Sequence, residues 1–393
     1  MNEVERPFRL AIVAGEESGD LLGSDLISSL RNAIGQPVQL IGIGGAHLQA
    51  KGLQSLFDSH DINLMGISAV LRNLPRLVLR IEQTARAIAA AKPDCLVTVD
   101  VPDFSLRVAK KVRKLAPDVP IVHYVCPSVW AWRPGRAPAM KPHVDRLLCL
   151  LPFEPAELAR LGGPEGVYVG HRLVSDPGVL SAAAMQARPR DMSPDREKTL
   201  LILPGSRRSE VASLVGTFRE TIDLLVERGH RLRLLMPTVP RVESALRAAV
   251  AGWTQQPEII VSPERKWQAF GEADAALIAS GTVSLELALA GVPMVSCYKL
   301  DPLMRFAQSL ITVWAASLPN IIADRPIVFE SYDLALRPPT LARIVESLFA
   351  DTAMRRWQKE GFEEVRRRMA TPRPAGDIAA DAVLDVVAAR KPT

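Results

Sequence analysis

The stretch Leu203-Pro-Gly-Ser-Arg-Arg-Ser-Glu210 lies between an apolar run, Thr199 to Leu203, and a helical pattern, Val211 to Arg228. A buried strand that turns this abruptly into a helix belongs to a layered α/β fold, and the turn leaves free backbone N–H groups at a positive dipole end. Gly205 frees the backbone there, and Ser206, Arg207 and Arg208 add a hydroxyl and two full positive charges, so a phosphate is the natural occupant. Ala279-Ser-Gly-Thr-Val-Ser-Leu-Glu286 repeats the design with the small or hydroxylated residues Ser280, Gly281 and Thr282. Two such turns in one half of a chain point to a diphosphate-containing ligand. Glu286, early in the second helix, has a carboxylate suited to vicinal ribose hydroxyls, and the pairing of phosphate turn with carboxylate favours a nucleotide sugar. Ordinary helix capping is the competing reading of both turns.

Short apolar runs alternate with longer helical patterns along all 393 residues. Strands are expected at 8–14, 38–43, 95–99, 121–125, 146–150 and 167–169, then at 200–203, 232–236, 258–261, 275–278 and 294–297. The alternation predicts two doubly wound, Rossmann-like domains of parallel sheet facing each other across a cleft. At roughly 150 residues per domain the length accommodates two. Around Ala187 to Lys198 apolar periodicity stops and Pro and charge take over, as in a linker. The expected division is a first domain at 1–186, a linker at 187–198, a second domain at 199–350 and a helical C-terminal tail at 351–393.

The apolar fraction of 48% and charged fraction of 23% are those of an ordinary globular protein. The first apolar run is too short for a signal-peptide core or a membrane span, which predicts a cytoplasmic protein. Cys95, Cys126, Cys149 and Cys297 form no CxxC pair, so neither a disulfide framework nor a zinc site is indicated. A net charge of +5 fits nucleic acid, an anionic membrane or a phosphorylated substrate. With no long basic run and no nucleic-acid module, nucleic acid is set aside.

The first strand runs into Ala14-Gly-Glu-Glu-Ser-Gly-Asp20, where a dinucleotide-binding protein carries GxGxxG. Three carboxylates there would repel a pyrophosphate, so the nicotinamide reading fails. Capping by Ser18 with favourable first-turn acids competes with a functional role for Glu16. Asp100 and Asp103 stand at the carboxyl end of a buried strand, the end that lines the ligand crevice in open α/β sheets. A carboxylate partly shielded from water there can take a proton from a sugar hydroxyl. Loop capping is the alternative, and Asp94, before the strand, reads as structural. His123-Tyr-Val-Cys-Pro-Ser-Val-Trp-Ala-Trp-Arg133 crowds His123, Trp130 and Trp132 after another strand, as a loop wall against a sugar or acyl chains or as a core-edge cluster.

The segment 64–81 is unusually apolar, with Met65 and Leu71 in it and Arg72, Arg76 and Arg80 four apart on one helical face. Such an element can lie in a membrane interface; a core helix with a solvated basic face is the alternative. Pro75 marks the point where a helix would start. Ser317-Leu-Pro-Asn320 adds a polar side chain, Asn320, in a loop with no evident structural need.

Many of these landmarks occur together and in order in one family. Ala14 to Asp20, Leu64-Met-Gly-Ile67, Lys92-Pro-Asp94, Asp100-Val-Pro-Asp-Phe104, His123 to Arg133, Leu151-Pro-Phe-Glu154, Gly170-His171, Leu203 to Arg207, Ala279 to Thr282 and Ser317 to Asn320 carry the likeness. On these motifs the chain resembles, over essentially its whole length, the lipid-A-disaccharide synthases, inverting hexosyltransferases of glycosyltransferase family 19. The resemblance implies a GT-B fold, no metal, no cofactor and a peripheral enzyme on the anionic inner face of the cytoplasmic membrane, and it admits a homodimer. The implied reaction joins UDP-2,3-diacylglucosamine to 2,3-diacylglucosamine 1-phosphate, giving a β(1→6) disaccharide 1-phosphate and UDP. It makes Asp103 the leading general base, with Glu16, Asp94 and Asp100 as assistants. Arg207 would stabilise the departing diphosphate, and Ser280 to Thr282, Glu286 and Asn320 would hold the nucleotide. Other UDP-sugar enzymes of the same fold, a peptidoglycan N-acetylglucosaminyltransferase or a sugar 2-epimerase, are the alternatives, followed by a non-catalytic lipid-binding protein. The chain departs from the family at Glu17 and at Thr312 to Ala316.

Overall fold

The computed structural model describes residues 6–61, 74–299 and 312–390. Met65, Leu71 and Arg72 lie outside the described residues. The described chain forms two compact units: residues up to His171 together with those from Thr371 onward, and Arg172–Ala370.

In the first unit the strands are β1 (Phe8–Ala14), β2 (Val38–Ile43), β3 (Cys95–Val99), β4 (Ile121–Tyr124), β5 (Arg146–Cys149) and β6 (Glu165–Tyr168), all parallel in the order β2-β1-β3-β4-β5-β6. In the second unit β7 (Lys198–Leu203), β8 (Leu232–Pro237), β9 (Glu258–Ile260), β10 (Ala275–Ala279), β11 (Met294–Tyr298) and β12 (Phe329–Tyr332) are ordered β12-β11-β10-β7-β8-β9. The central strands are buried on both faces, as Leu10 to Ala14 and Leu200 to Ile202 show, which is why they read as continuous apolar runs. Strand order reverses direction between β1 and β3 in one sheet and between β7 and β10 in the other. In open α/β sheets these switch points open a crevice at the strands' carboxyl ends, which is where the four acidic and glycine-containing turns fall.

The units divide the chain differently from the expected boundaries. Residues 187–198 are not a linker: Arg190 and Arg196 bind the buried Asp274 carboxylate at 3.3 and 2.6 Å, and Asp274 also accepts the Thr199 N–H at 2.7 Å. The preceding helix, Pro177–Gln186, belongs to the second unit too, with the Gln186 amide donating to Phe270 O at 2.7 Å and Ala273 O at 2.8 Å. Replacing Asp274 by alanine strands two guanidinium groups, and a loss of about 3–5 kcal/mol is expected in urea unfolding of the folded variant.

The tail also splits. The Ala353–Met369 helix stays with the second unit, its Gln358 side chain clamping both backbone groups of Met294 at 2.8 and 2.9 Å. The Ala375–Arg390 helix packs on the Glu17–Ile34 helix of the first unit, adding Ala379, Val383, Val386 and Val387 to a core that holds Leu10, Ile12, Leu26 and Ile27. Arg390 fixes its end by an ion pair to Asp145 at 2.5 Å.

Candidate active site

At the first unit's switch point, Ala14 of β1 stands in register with Val99 of β3, so the turns after these two strands share one sheet edge. Asp100 and Val101 both adopt positive φ, 51° and 43°. For a β-branched valine this is costly, roughly 1–3 kcal/mol, and such strain collects where a site requires it. The turn then enters the Pro102–Leu115 helix with Pro102 in its first turn. Asp100 is mostly buried, and desolvation raises its pKa despite the hydrogen bond from the Val101 N–H at 2.8 Å. Asp103 is 70% exposed and is ion-paired to Arg136. Glu16 occupies the N-cap position of the Glu17–Ile34 helix with extended backbone and no side-chain cap bond. Ser18 lies inside that helix and caps nothing.

Several expected site residues serve the scaffold instead. Asp94 precedes β3, about 20 Å of strand away from Asp100 at ~3.3 Å per residue. It binds Arg6 at 2.5 Å and the Arg9 N–H at 2.8 Å, tying the chain before β3 to β1. Asp20, one of the three acids after β1, is buried and accepts N–H bonds from Gly45 at 2.6 Å and His47 at 2.8 Å, closing the start of the Ala46–Ala50 helix. His123 is inside β4 and wholly buried; its Nδ1 meets Thr98 Oγ1 at 2.8 Å, and burial lowers its pKa to about 3, so it is neutral and no part of a loop wall.

The two tryptophans separate. Trp130 is buried, stacks edge-on to Phe153 at 4.9 Å and donates to Glu154 at 3.2 Å, while desolvation lifts Glu154 to about 7. Trp132 is 40% exposed with Arg133 over its ring at 4.1 Å, and it alone of the pair is available to a ligand. Beside Glu154, the thiols of Cys126 and Cys149 converge with its carboxylate to within 4.8 Å, a grouping that their spacing in the chain does not announce. Arg76 and Arg80 are both engaged by Asp61, at 2.6 and 2.7 Å, and Arg80 also covers the Phe57 ring. Their helix begins at Leu74, with Pro75 in its first turn.

The second unit gathers most of its expected residues into one cavity. Gly205, Ser206, Arg207, Ser280, Gly281, Thr282 and Glu286 line a space of about 340 Å³ with Glu210, Pro237, Thr238 and Lys266. β7 and β10 are adjacent, Leu203 standing near the register pair Ile278, and this brings the two turns together. Gly205 has φ +121°, and a Cβ there would lie 2.5 Å from Glu210 Cβ.

The two turns differ in a way the sequence reading missed. At the start of the Arg208–Glu227 helix, Glu210 Oε2 accepts the N–H groups of Ser206 at 2.9 Å and Arg207 at 3.2 Å, while its Oε1 takes Arg207 Nη1 at 2.9 Å. Glu210 therefore stands where an anion would, and its position three residues beyond Arg207 is the capping-box spacing that could have revealed it. The Thr282–Ala290 helix starts at Gly281 with no side-chain cap, so that turn presents its dipole end to the cavity. Arg241 supports the first turn by donating to Ser206 O at 3.0 Å and Oγ at 3.2 Å. Asn320 is not among the residues lining this cavity: it is buried, donates its amide N–H to Val328 O at 2.9 Å and accepts the Ile327 and Val328 N–H groups at 2.9 and 2.7 Å, stapling a loop.

The profile of the family described as lipid-A-disaccharide synthetase matches residues 10–366. The chain belongs to this family. It is 43% identical over 381 residues to the lipid-A-disaccharide synthase of Nitrobacter winogradskyi, covering 96% of each chain. It is 39% identical over 391 residues to that of Rhodospirillum centenum, covering 98% of this chain and 96% of the other. As a lipid-A-disaccharide synthase family member it is a hexosyltransferase of lipid A biosynthesis. Solved structures give the fold. MurG of Acinetobacter baumannii superposes with a TM-score of 0.58 at 15% identity, covering 96% of this chain and 99% of that one. The UDP-GlcNAc 2-epimerase of Methanocaldococcus jannaschii, in complex with UDP-GlcNAc and UDP, gives 0.59 at 14%, covering 97% and 100%. These likenesses establish the GT-B architecture; at such identities they do not favour a peptidoglycan transferase or an epimerase over the family that the sequence matches.

Proposed function

We propose that this enzyme transfers the 2,3-diacylglucosaminyl group of UDP-2,3-diacylglucosamine to the 6-hydroxyl of 2,3-diacylglucosamine 1-phosphate, with inversion. The observation that carries the donor half is the cavity of the second unit lined by a dipole-bearing turn, an arginine and the Glu286 carboxylate. The diphosphate is assigned to the open Ser280 to Thr282 turn with Arg207 beside it, and the ribose to Glu286. The acceptor half is assigned to the first unit's switch point.

The chemistry follows from these parts. Asp103, paired with Arg136, accepts the proton of the attacking hydroxyl as that hydroxyl's oxygen bonds to the anomeric carbon. The bond from that carbon to the diphosphate breaks, and UDP leaves with the electron pair. Arg207 and the helix dipole take up the charge that develops on the leaving oxygen. Glu16 and Asp100 border the same sheet edge and shape the field around the hydroxyl. The test is an assay with purified protein, both acylated sugars and EDTA, followed by mass spectrometry. Disaccharide 1-phosphate is the expected product; consumption of UDP-N-acetylglucosamine in place of the acylated donor would overturn the reading.

Access to acylated substrates requires a lipid-facing surface, and no helix among the described residues is long and apolar enough to cross a membrane. The surface assigned to this role differs from the arginine face. Val78, Leu79 and Leu115 are exposed on the Leu74–Ala91 and Pro102–Leu115 helices, and Arg107, Lys110 and Lys114 rim the shallow apolar groove between them. Basic rims on apolar grooves fit an anionic bilayer interface. Lys110→Gln with Lys114→Gln is expected to weaken binding to phosphatidylglycerol vesicles about thirtyfold at low salt, about 1 kcal/mol for each of the two charges lost. Unchanged sedimentation with those vesicles would remove the groove from the proposal.

A further inference from the structure

Lys266 drew no attention in the sequence, yet its side chain enters the cavity of the second unit and binds Glu286, Nζ to Oε2, at 2.6 Å. It comes from the Pro263–Glu272 helix and Glu286 from Thr282–Ala290, so the pair ties two helices together at the cavity wall. The ammonium is further confined by aromatic faces, 4.3 Å from the Trp267 centroid and 5.5 Å from that of Phe270. Those rings pack edge-on at 5.3 Å and give the ammonium a fixed aromatic wall. Both charges are mostly covered, at 27% and 18% exposure, which keeps their attraction less screened than at an open surface.

The charged groups lining the cavity are Arg207, Lys266, Glu210 and Glu286, and each acid has its own cation, since Arg207 binds Glu210. An isolated Glu286 carboxylate would repel the diphosphate of the ligand whose ribose it is assigned to hold. We infer that Lys266 is a positioning residue of the donor site, orienting Glu286 toward the ribose hydroxyls and cancelling its charge beside the diphosphate. This rests on the reading of the cavity as the UDP site. An ammonium on one carboxylate oxygen leaves the second oxygen's lone pairs for vicinal hydroxyls, so the two tasks are compatible.

The experiment is a double-mutant cycle on the full chain: wild type, Lys266→Met, Glu286→Gln and the double variant, titrated with UDP by calorimetry and assayed for donor KM and kcat. Lys266→Met is expected to raise both the UDP Kd and the donor KM about tenfold, with kcat changing less than about twofold, because ground-state and transition-state binding lose the same contact. In the Glu286→Gln background the same substitution should change Kd by less than about threefold, since no charge remains to be cancelled. Wild-type affinity in Lys266→Met, or an undiminished loss in the Glu286→Gln background, overturns the inference. A folded wild type that does not bind UDP overturns the donor-site reading itself. Circular dichroism and melting curves check each fold, and Lys266→Gln replaces the methionine variant if that one does not fold.

Discussion

Asp103→Ala is expected to lower turnover about 10³-fold while UDP affinity stays at the wild-type value, the scale of a lost general base. The side chain sits in the first turn of the Pro102–Leu115 helix, exposed and reachable by an acceptor. Its pair with Arg136 orients the carboxylate. A carboxylate can serve as the base, because proton transfer becomes favourable only as the hydroxyl oxygen gives its electrons to the anomeric carbon. Steady-state kinetics on both substrates, with UDP titrations alongside, measure the two quantities separately. Asp100 supplies the competing outcome, because burial raises its affinity for a proton. If Asp103→Ala kept most of its turnover and Asp100→Asn lost it, the base would be Asp100 and the strained backbone at Asp100 and Val101 would be its mount.

Arg207→Ala is expected to reduce kcat by about 10²–10³, the usual loss when a donor to developing negative charge is removed. With its side chain 66% exposed and bound to Glu210 at 2.9 Å, Arg207 can exchange one anion for another. The diphosphate must compete with that carboxylate, so Arg207 engages the ligand most strongly once charge builds on the leaving oxygen. That predicts a larger effect on kcat than on KM. Lysine at this position should recover only part of the rate, because a point charge lacks the planar fork of guanidinium. An Arg207→Ala enzyme with an unchanged kcat and a raised KM would make the residue a ground-state anchor only.

The parts of the molecule that could be read ahead of time are those where one chemical constraint acts alone. β1, β3 and β7 are apolar because both faces are covered, and their ends were located to within a residue or two. β12, Phe-Glu-Ser-Tyr at the sheet edge, has one fully covered face position and no apolar run, so it escaped notice. The Pro-rich and charged stretch at 187–198 looked like a linker because composition alone does not show that its arginines serve a buried Asp274. His123 and Trp130 were rightly placed near strand ends but wrongly aimed. Position along a chain does not fix which side of a strand or loop a side chain takes, and in a strand that choice alternates at every residue. Asp94 and Asn320 are held by hydrogen bonds that composition does not announce: Asp94, structural by its position, by Arg6 and the Arg9 N–H at the far end of the chain's first strand, and Asn320 by the Ile327 and Val328 backbone a turn of loop away. The glycine and serine turns do line one cavity, since their backbone geometry is local, but Glu210 fills the first and the Ser280 to Thr282 turn is left uncapped. The Glu210 and Lys266 partners of the cavity needed the fold to be seen, although the first had a capping-box spacing.

The helix Ala375–Arg390 has a consequence for how the molecule is made. It completes the apolar core around Leu26 and Ile27 of the first unit, yet the ribosome must translate all of Arg172–Ala370 before it emerges. At ~5–20 residues per second that interval is roughly 10–40 s, during which the face of the Glu17–Ile34 helix lacks its cover. The second unit has no such dependence on a later segment and can mature while the first waits. A nascent chain halted before residue 375 leaves that apolar face of the Glu17–Ile34 helix uncovered.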